Sequence, residues 1–439
     1  MYTTSLLALG AIAAGAHQYS KGGGGQSSAA ESKGERPSDF NAFQRSFLVV
    51  ALMAMFSDWL QGPYVYALYS YYGFQPDEIA QLFVAGFLSS MLVGTFVGSL
   101  ADKYGRRRMC SAFALFYFVG CCTKLVNSYP ILLLGRIFCG VATSLLFSVF
   151  ESWMVCEHTK SEYPAALLSE TFSLLTFWNG VVAVVAGLVA NLFVSIAKTP
   201  VAPFILAMIP LTFVGLAVQS WPENHGDRDA NVRVTFQNAW NHLLADTRIV
   251  YLGLAQGCFE GAMYIFVFMW TPALQAAKGS DEAELGTVFA CFMVAVMLGS
   301  AIFSSLVGRH QVDCHRIPQF LHAMAVAASA MSYVFITDTT MLFLSFLLFE
   351  ISVGIFYPAY GTIKSAHIPE EVRAAIMNYF RVPLNAFVAL VLTQITSYDP
   401  SIAFGITTAM NVLSMALYLK ANALFQDDQG KQEVPYDLV

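Results

Sequence analysis

The sequence predicts an all-α polytopic membrane protein of two six-helix bundles, with an extra helix at the N-terminus. Three observations carry this. Of 439 residues, 56% are hydrophobic and only 12% charged, about half the charged share of a soluble domain. A soluble fold this apolar would expose large greasy patches, which a bilayer instead solvates. Twelve apolar runs recur, each close to the ~20 residues that a membrane helix needs. The longest polar gap, 221–248, falls between the sixth and seventh runs.

The runs lie at 45–70, 79–101, 109–126, 131–153, 167–195, 201–220, 249–272, 285–307, 316–336, 341–364, 375–397 and 401–423. A shorter apolar run, 3–16, precedes them. The expected organisation is an N-terminal apolar segment and flexible linker (1–44), a first bundle (45–220), a linker (221–248), a second bundle (249–423) and a tail (424–439). Lys21 followed by four glycines marks the flexible part of the first linker.

Lysine and arginine placement orients the chain. If 45–70 starts in the cytoplasm, eighteen of the 23 lysines and arginines fall in cytoplasmic segments. Only Lys124, Lys198 and Lys278 fall outside, while Arg136 and Arg381 sit inside helices. Both ends of the twelve-helix core are therefore expected in the cytoplasm. A cleaved signal peptide at 3–16 would invert every later helix. An uncleaved extra span with its N-terminus outside fits the bias, and an interfacial helix is the alternative.

Several functions are disfavoured. The net charge of −6 and the lack of a basic stripe argue against nucleic acid. The eight cysteines form no C-x-x-C pair, so packed, reduced thiols are expected. Asp313-Cys314-His315 with His310 has no ligand-set spacing, so no metal is expected. A phosphate-binding glycine loop, an H-E-x-x-H and a nucleophile triad are all missing, so neither an enzyme nor a cofactor is expected.

The halves repeat weakly. Gln61-Gly62 pairs with Glu260-Gly261, and Met91-Leu92-Val93-Gly94 with Met297-Leu298-Gly299. Leu134-Gly135-Arg136 then Gly140 parallels Phe349-Glu350 then Gly354. Tyr163-Pro164 parallels Ile368-Pro369. Their common order suggests a duplicated transporter with its site between the halves.

The sharpest signal is the run Gly98-Ser99-Leu100-Ala101-Asp102-Lys103-Tyr104-Gly105-Arg106-Arg107. Gly98 is expected to let helices approach, Gly105 to permit a tight turn, and Asp102 to latch onto an arginine or a helix N-terminus. The run fills every position of the G-x-x-x-D-K/R-x-G-R/K-R/K loop pattern and resembles the major facilitator superfamily. Arg136-Ile137-Phe138-Cys139-Gly140 resembles its R-x-x-x-G element. The resemblance implies the major facilitator fold. It makes Gly98, Asp102, Lys103, Gly105, Arg106, Arg107, Arg136 and Gly140 the candidate gating residues.

A narrower resemblance runs from about residue 45 onward. It rests on Ser57-Asp58-Trp59-Leu60-Gln61-Gly62-Pro63-Tyr64-Val65-Tyr66, Phe147-Ser148-Val149-Phe150-Glu151-Ser152-Trp153 and Val184-Val185-Ala186-Gly187. Ile265-Phe266-Val267-Phe268-Met269-Trp270-Thr271-Pro272 and Phe380-Arg381-Val382-Pro383-Leu384 continue it. These segments are similar to the eukaryotic molybdate-anion transporter family. That resemblance implies uptake of the molybdate oxyanion across the cell membrane. Another small anion, a sugar, or a non-transporting receptor or scaffold remain the alternatives. A monomer in the bilayer is expected.

Charges at membrane depth are costly and are usually functional or paired. Glu260, Glu350 and Arg381 come out about 17, 14 and 10 Å into a ~30 Å core, and Asp58 about 20 Å in. A dianion needs positive charge and N–H or O–H donors. Arg381 is the candidate cation, with Gln61, Tyr64, Asn378 and Asn385 as neutral donors. Pro383 is expected to break the local helix and free backbone groups. Asp58, Glu260 and Glu350 would repel an anion when ionised, so they are candidates for carrying protons; the alternatives are an ion pair of Arg381 with Glu260 or Glu350, and a satisfied polar cluster of Asp58 with Gln61 and Tyr64.

Overall fold

The computed structural model describes residues 1–23, 37–226, 232–278, 284–395 and 400–432. Among them every regular element is helical. The first half runs α1 (Tyr2–Gly23), α2 (Phe40–Gln61), α3 (Val65–Tyr71), α4 (Pro76–Tyr104), α5 (Arg106–Thr123), α6 (Tyr129–Leu146), α7 (Val149–Lys160), α8 (Ala165–Ala197) and α9 (Ala202–Ala217). The second half runs α10 (Val232–Ala245), α11 (Thr247–Lys278), α12 (Leu285–Gly308), α13 (Ile317–Val334), α14 (Thr339–His367), α15 (Glu370–Ile395) and α16 (Pro400–Gln432).

Each of the twelve apolar runs is met by helix. Among the described residues, nine spans are long and apolar enough to cross a membrane by themselves. The runs at α5, α13 and α15 fall outside that set because they are short or carry polar residues. Arg106, Arg107 and Arg108 open α5, and Gln319 and His322 dilute α13. The extra N-terminal helix exists as α1. Its apolar part, Tyr2–Ala16, is about 22 Å long at 1.5 Å per residue, short of a ~30 Å core. Tyr2 is buried, and its carbonyl accepts from the Cys291 thiol of α12.

The chain divides into two compact units. The first comprises Met1–Ile12, Gly24–Ala230 and Asp281–Val294; the second comprises Ala13–Gly23, Asn231–Ser280 and Ala295–Val439. Within the first, α4 packs on α6, α5 on α6 and α9, and α2 on α8 and α9. Within the second, α11 and α13 both pack on α16, α13 on α14, and α10 on α15.

Two glycines of the weak repeat sit at close helix crossings. A Cβ on Gly140 of α6 would collide with Ser89 and with the Gly86 carbonyl of α4. A Cβ on Gly354 of α14 would collide with the Val296 carbonyl and come within 3.0 Å of the Gly299 Cα of α12. Lipid offers no hydrophobic drive between helices, so close backbone contact of this kind supplies the attraction.

Among the described residues, two spans are broken in mid-course. Pro63 lacks an N–H, and the helix tightens to a 3₁₀ turn at Gly62–Tyr64 between α2 and α3. Phe147 and Ser148 interrupt the span between α6 and α7. The break expected at Pro383 is not found: α15 continues helical through it, as Pro-containing helices can in membrane bundles.

Asp246 joins α10 to α11. Its carboxylate accepts the Arg248 backbone N–H at 2.9 Å, Nε at 2.9 Å and a terminal guanidinium nitrogen at 2.8 Å. Burial opposes its ionisation, but these hydrogen bonds outweigh burial and hold the carboxyl below its ordinary value. A carboxylate with a lowered folded pKa stabilises above its unfolded value of about 3.9 and loses that contribution only as pH falls further. Protection of α10 amides, taken relative to their intrinsic exchange rate at each pH, should therefore hold down to about pH 4 and fall below it. Asp246→Asn should show the lower protection at every pH.

Candidate functional site

The loop at 98–107 forms one sharp corner between α4 and α5. Gly105 makes the corner with φ +104°, a conformation that L side chains rarely adopt. A Cβ there would also lie 2.5 Å from the Glu223 carboxyl carbon. Asp102 accepts from Arg106 at 2.8 Å, one turn along. Arg106 reaches on to the Ser152 carbonyl of α7 at 3.1 Å. Lys103 is exposed, with its ammonium 5.5 Å from the centre of the Tyr104 ring. A Cβ on Gly98 would meet nothing. The close approach expected there is made at Gly86 and Gly140 instead.

What closes over this corner is the segment 221–226, which follows α9. The backbone N–H groups of Arg106 and Arg107, the first of α5, donate to the Asn224 carbonyl and to Glu223 Oε1, each at 2.9 Å. A carboxylate at a helix N-terminus satisfies orphan N–H groups and complements the helix dipole. Arg107 and Arg108 flank the other Glu223 oxygen at 3.5 and 3.7 Å. Trp221 stacks on Trp153 of α7 with ring centres 3.9 Å apart. The Trp153 indole donates to the Pro222 carbonyl at 3.0 Å, and Asn224 donates to the Trp153 carbonyl at 3.1 Å. The strap thus ties α5, α7 and α9 together at the loop end of the bundle.

Toward the other end of the same unit lies a buried polar cluster. Asp58 of α2 accepts a hydrogen bond from the Tyr117 hydroxyl of α5. Gln61, one turn on, is 2% exposed and donates to the Ser57 carbonyl. Its Oε1 therefore faces the Lys124 ammonium at 2.9 Å. Lys124, expected in an outer loop, is itself only 2% exposed. Its stem folds inward from the α5 terminus, and its ammonium also meets the Cys139 sulfur at 3.2 Å and sits over the Phe204 ring. Arg136 does not reach away from the bundle. Its Nε donates to the Leu82 carbonyl of α4 at 3.2 Å, and its guanidinium lies on Gly86 and over the Phe83 ring.

Tyr64 joins a different group. Its hydroxyl donates to Asn191 of α8 at 3.0 Å and accepts the Gly286 N–H at 3.4 Å. Glu260, Glu350, Arg381, Asn378 and Asn385 all belong to the second unit. Glu260 accepts from Gln256 at 2.9 Å, and Lys364 of α14 donates to the same Gln256 at 3.1 Å. Glu350 and Asn385 are buried. Arg381 and Asn378 lie on α15, but their side chains fall outside the described residues.

Sequence reasoning missed several residues. Lys124, Gln256 and Lys364 are polar side chains drawn inward from helix termini or hidden among apolar runs. His322 is fully buried, with its ring nitrogens on Tyr360 at 2.9 Å and Ser414 at 3.3 Å. A lysine near the end of an apolar run reads as interfacial, and nothing in the one-dimensional pattern shows which way its stem points. The strap at 221–226 did carry a signal: two aromatic or acidic residues, Trp221 and Glu223, immediately after an apolar run.

Comparison with known proteins agrees with this architecture. A family model described as sugar transporters with twelve transmembrane helices matches residues 1–347. A molybdate-anion transporter of Takifugu rubripes is 37% identical over 385 residues, covering 80% of this chain and 79% of the relative. Relatives of the same name from Xenopus tropicalis and Danio rerio are 34% and 36% identical, covering 82% and 80% of this chain and 80% and 79% of their own. Among solved structures, the nucleoside transporter NupG has a TM-score of 0.68 at 11% identity, covering 86% of this chain and 99% of its own. A D-xylose-proton symporter has a TM-score of 0.67 at 12% identity, covering 87% and 97%. At such identities the structures show the fold alone, whereas the sequence relatives show descent: the chain belongs to the molybdate-anion transporter family and has the major facilitator fold.

Proposed function

We propose that this protein takes up molybdate across the cell membrane as a secondary transporter. The single observation that carries this is the identity of 34–37%, over about 80% of the chain, to relatives named molybdate-anion transporters. The protein acts as a monomer in the bilayer, with the 98–107 loop and both ends of the twelve-helix core in the cytoplasm. Transport proceeds by alternating access, the mechanism that fits the major facilitator fold. Arg381, Gln61, Tyr64, Asn378 and Asn385 contribute to substrate binding. Asp58, Glu260 and Glu350 carry protons or pair with cations. The loop residues Gly98, Asp102, Lys103, Gly105, Arg106 and Arg107, with Arg136 and Gly140, act in gating. The energy comes from a proton gradient, the membrane potential or the gradient of molybdate itself.

Cells expressing the protein should accumulate labelled molybdate, and tungstate should compete. The family model described as sugar transporters makes xylose the necessary second competitor. Competition by xylose and none by tungstate would transfer the substrate to the sugar class. Arg381→Ala should abolish uptake with surface protein unchanged. Normal uptake by that variant would remove Arg381 from the site. Reconstituted uptake with and without a proton gradient identifies the coupling ion.

A further inference from the structure

We propose that the polar cluster inside the first bundle is an anion site for a tetrahedral dianion, with Lys124 and Arg136 as its cations, and that it fills together with a proton on Asp58. This rests on the transport reading above and moves Arg136 from the gating set to the anion site.

Lys124 is the unusual feature. Its ammonium has three N–H donors, and its described acceptors are both neutral, the Gln61 amide oxygen at 2.9 Å and the Cys139 sulfur at 3.2 Å. The Asp58 carboxylate of the same cluster is hydrogen-bonded by Tyr117, not by the ammonium, and cations buried at membrane depth are costly and mark function. The backbone is held for this purpose. The Tyr72 hydroxyl donates to the Lys124 carbonyl at 2.7 Å, and Gln61 is oriented by its own bond to the Ser57 carbonyl. A second, independent observation points to a ligand. The Tyr69 hydroxyl is fully buried against the Arg136 guanidinium and near Lys124, and no described acceptor takes its O–H. An oxyanion would accept from Tyr69, from Lys124 and from the guanidinium that rests on Gly86. Charge-assisted bonds of this kind are roughly twice as strong as neutral ones, so the anion displaces the Gln61 oxygen and the thiol from the ammonium.

Charge counting adds the proton. The ionisable groups around Asp58 are Tyr117, Lys124, Arg136, Tyr69, Cys121 and Cys139. With Tyr and Cys neutral, two cations and one carboxylate leave a single positive charge, which a dianion overfills. Protonating Asp58 brings the occupied cluster to zero, the least costly state in a low-dielectric interior. Anion and proton therefore bind together.

The test is titration of purified protein with sodium molybdate at pH 6 and pH 8, with thermal unfolding of each variant alongside. Wild type should bind more tightly at pH 6. Lys124→Gln should weaken binding about ten- to a hundredfold, as expected for one charge-assisted bond, and Lys124→Arg should retain part of it. Asp58→Asn should bind equally at both pH values. Wild-type affinity in Lys124→Gln, or an unchanged pH dependence in Asp58→Asn, overturns the site. So does recovery of both stability and binding in Asp58→Asn with Lys124→Gln, which would show a structural charge pair. If Lys124→Gln does not fold, Asp58→Asn and Lys124→Arg still decide. Should wild type bind sulfate but not molybdate, with the same variant effects, the site stands and the molybdate reading fails.

Discussion

Replacing Trp221 by alanine should cost about 3–5 kcal/mol of stability, the usual range for removing a buried tryptophan. Trp221 is only 4% exposed and stacks on Trp153, which is 2% exposed. The same substitution removes the bond from its indole to Ser46 and frees the segment that places Glu223 on the start of α5. The arginines of the loop then lose their carboxylate. Thermal unfolding of the purified protein measures the first effect, and molybdate uptake per surface molecule measures the second. A conservative comparison is Glu223→Gln, which keeps an acceptor for the Arg107 N–H but removes the charge. It should reduce uptake with a much smaller loss of stability, because the arginine pairs it breaks are partly exposed and exposed pairs contribute about 0–1 kcal/mol each. If Trp221→Ala unfolds at the wild-type temperature, the strap does not hold this end of the bundle.

Gly140→Leu should abolish correct folding, and Gly354→Leu should do the same in the second unit. Overpacking an ordinary core costs roughly 1–3 kcal/mol because side chains give way. Here the obstacle is largely backbone: the Gly86 carbonyl facing Gly140 and the Val296 carbonyl facing Gly354. Helices α4 and α6, or α12 and α14, must separate for the side chain to fit. Gly98→Leu is the matched control, since a Cβ there meets nothing, and it should leave the unfolding temperature unchanged. Fluorescence-detected size exclusion of the three variants provides the comparison. A monodisperse peak for Gly140→Leu at wild-type yield would contradict the close-packed crossing.

Composition and twelve apolar runs were enough to establish the class, because a chain 56% hydrophobic is solvated by a bilayer, and apolar runs of about 20 residues suit spanning helices where a barrel strand needs only about ten. The 98–107 motif and the family segments were equally legible, since each depends on residue types at fixed spacing. Asp58, Gln61 and Arg136 were recognisable as polar residues at membrane depth. Which of them meet was not, because contact depends on helix rotation and crossing, and the apolar pattern is nearly continuous around these helices. Lys124 shows the limit most clearly. Its position at the end of an apolar run reads as a surface lysine, yet its stem turns inward to Gln61 and Cys139. The same holds for the strap at 221–226, which reads as the start of a linker and becomes the cap of α5. The sequence by itself determined the membrane class, the helices and the loop. The tertiary structure decided which polar groups share a site, because a side chain with a flexible four-carbon stem can face lipid, water or the core from one and the same place in the chain.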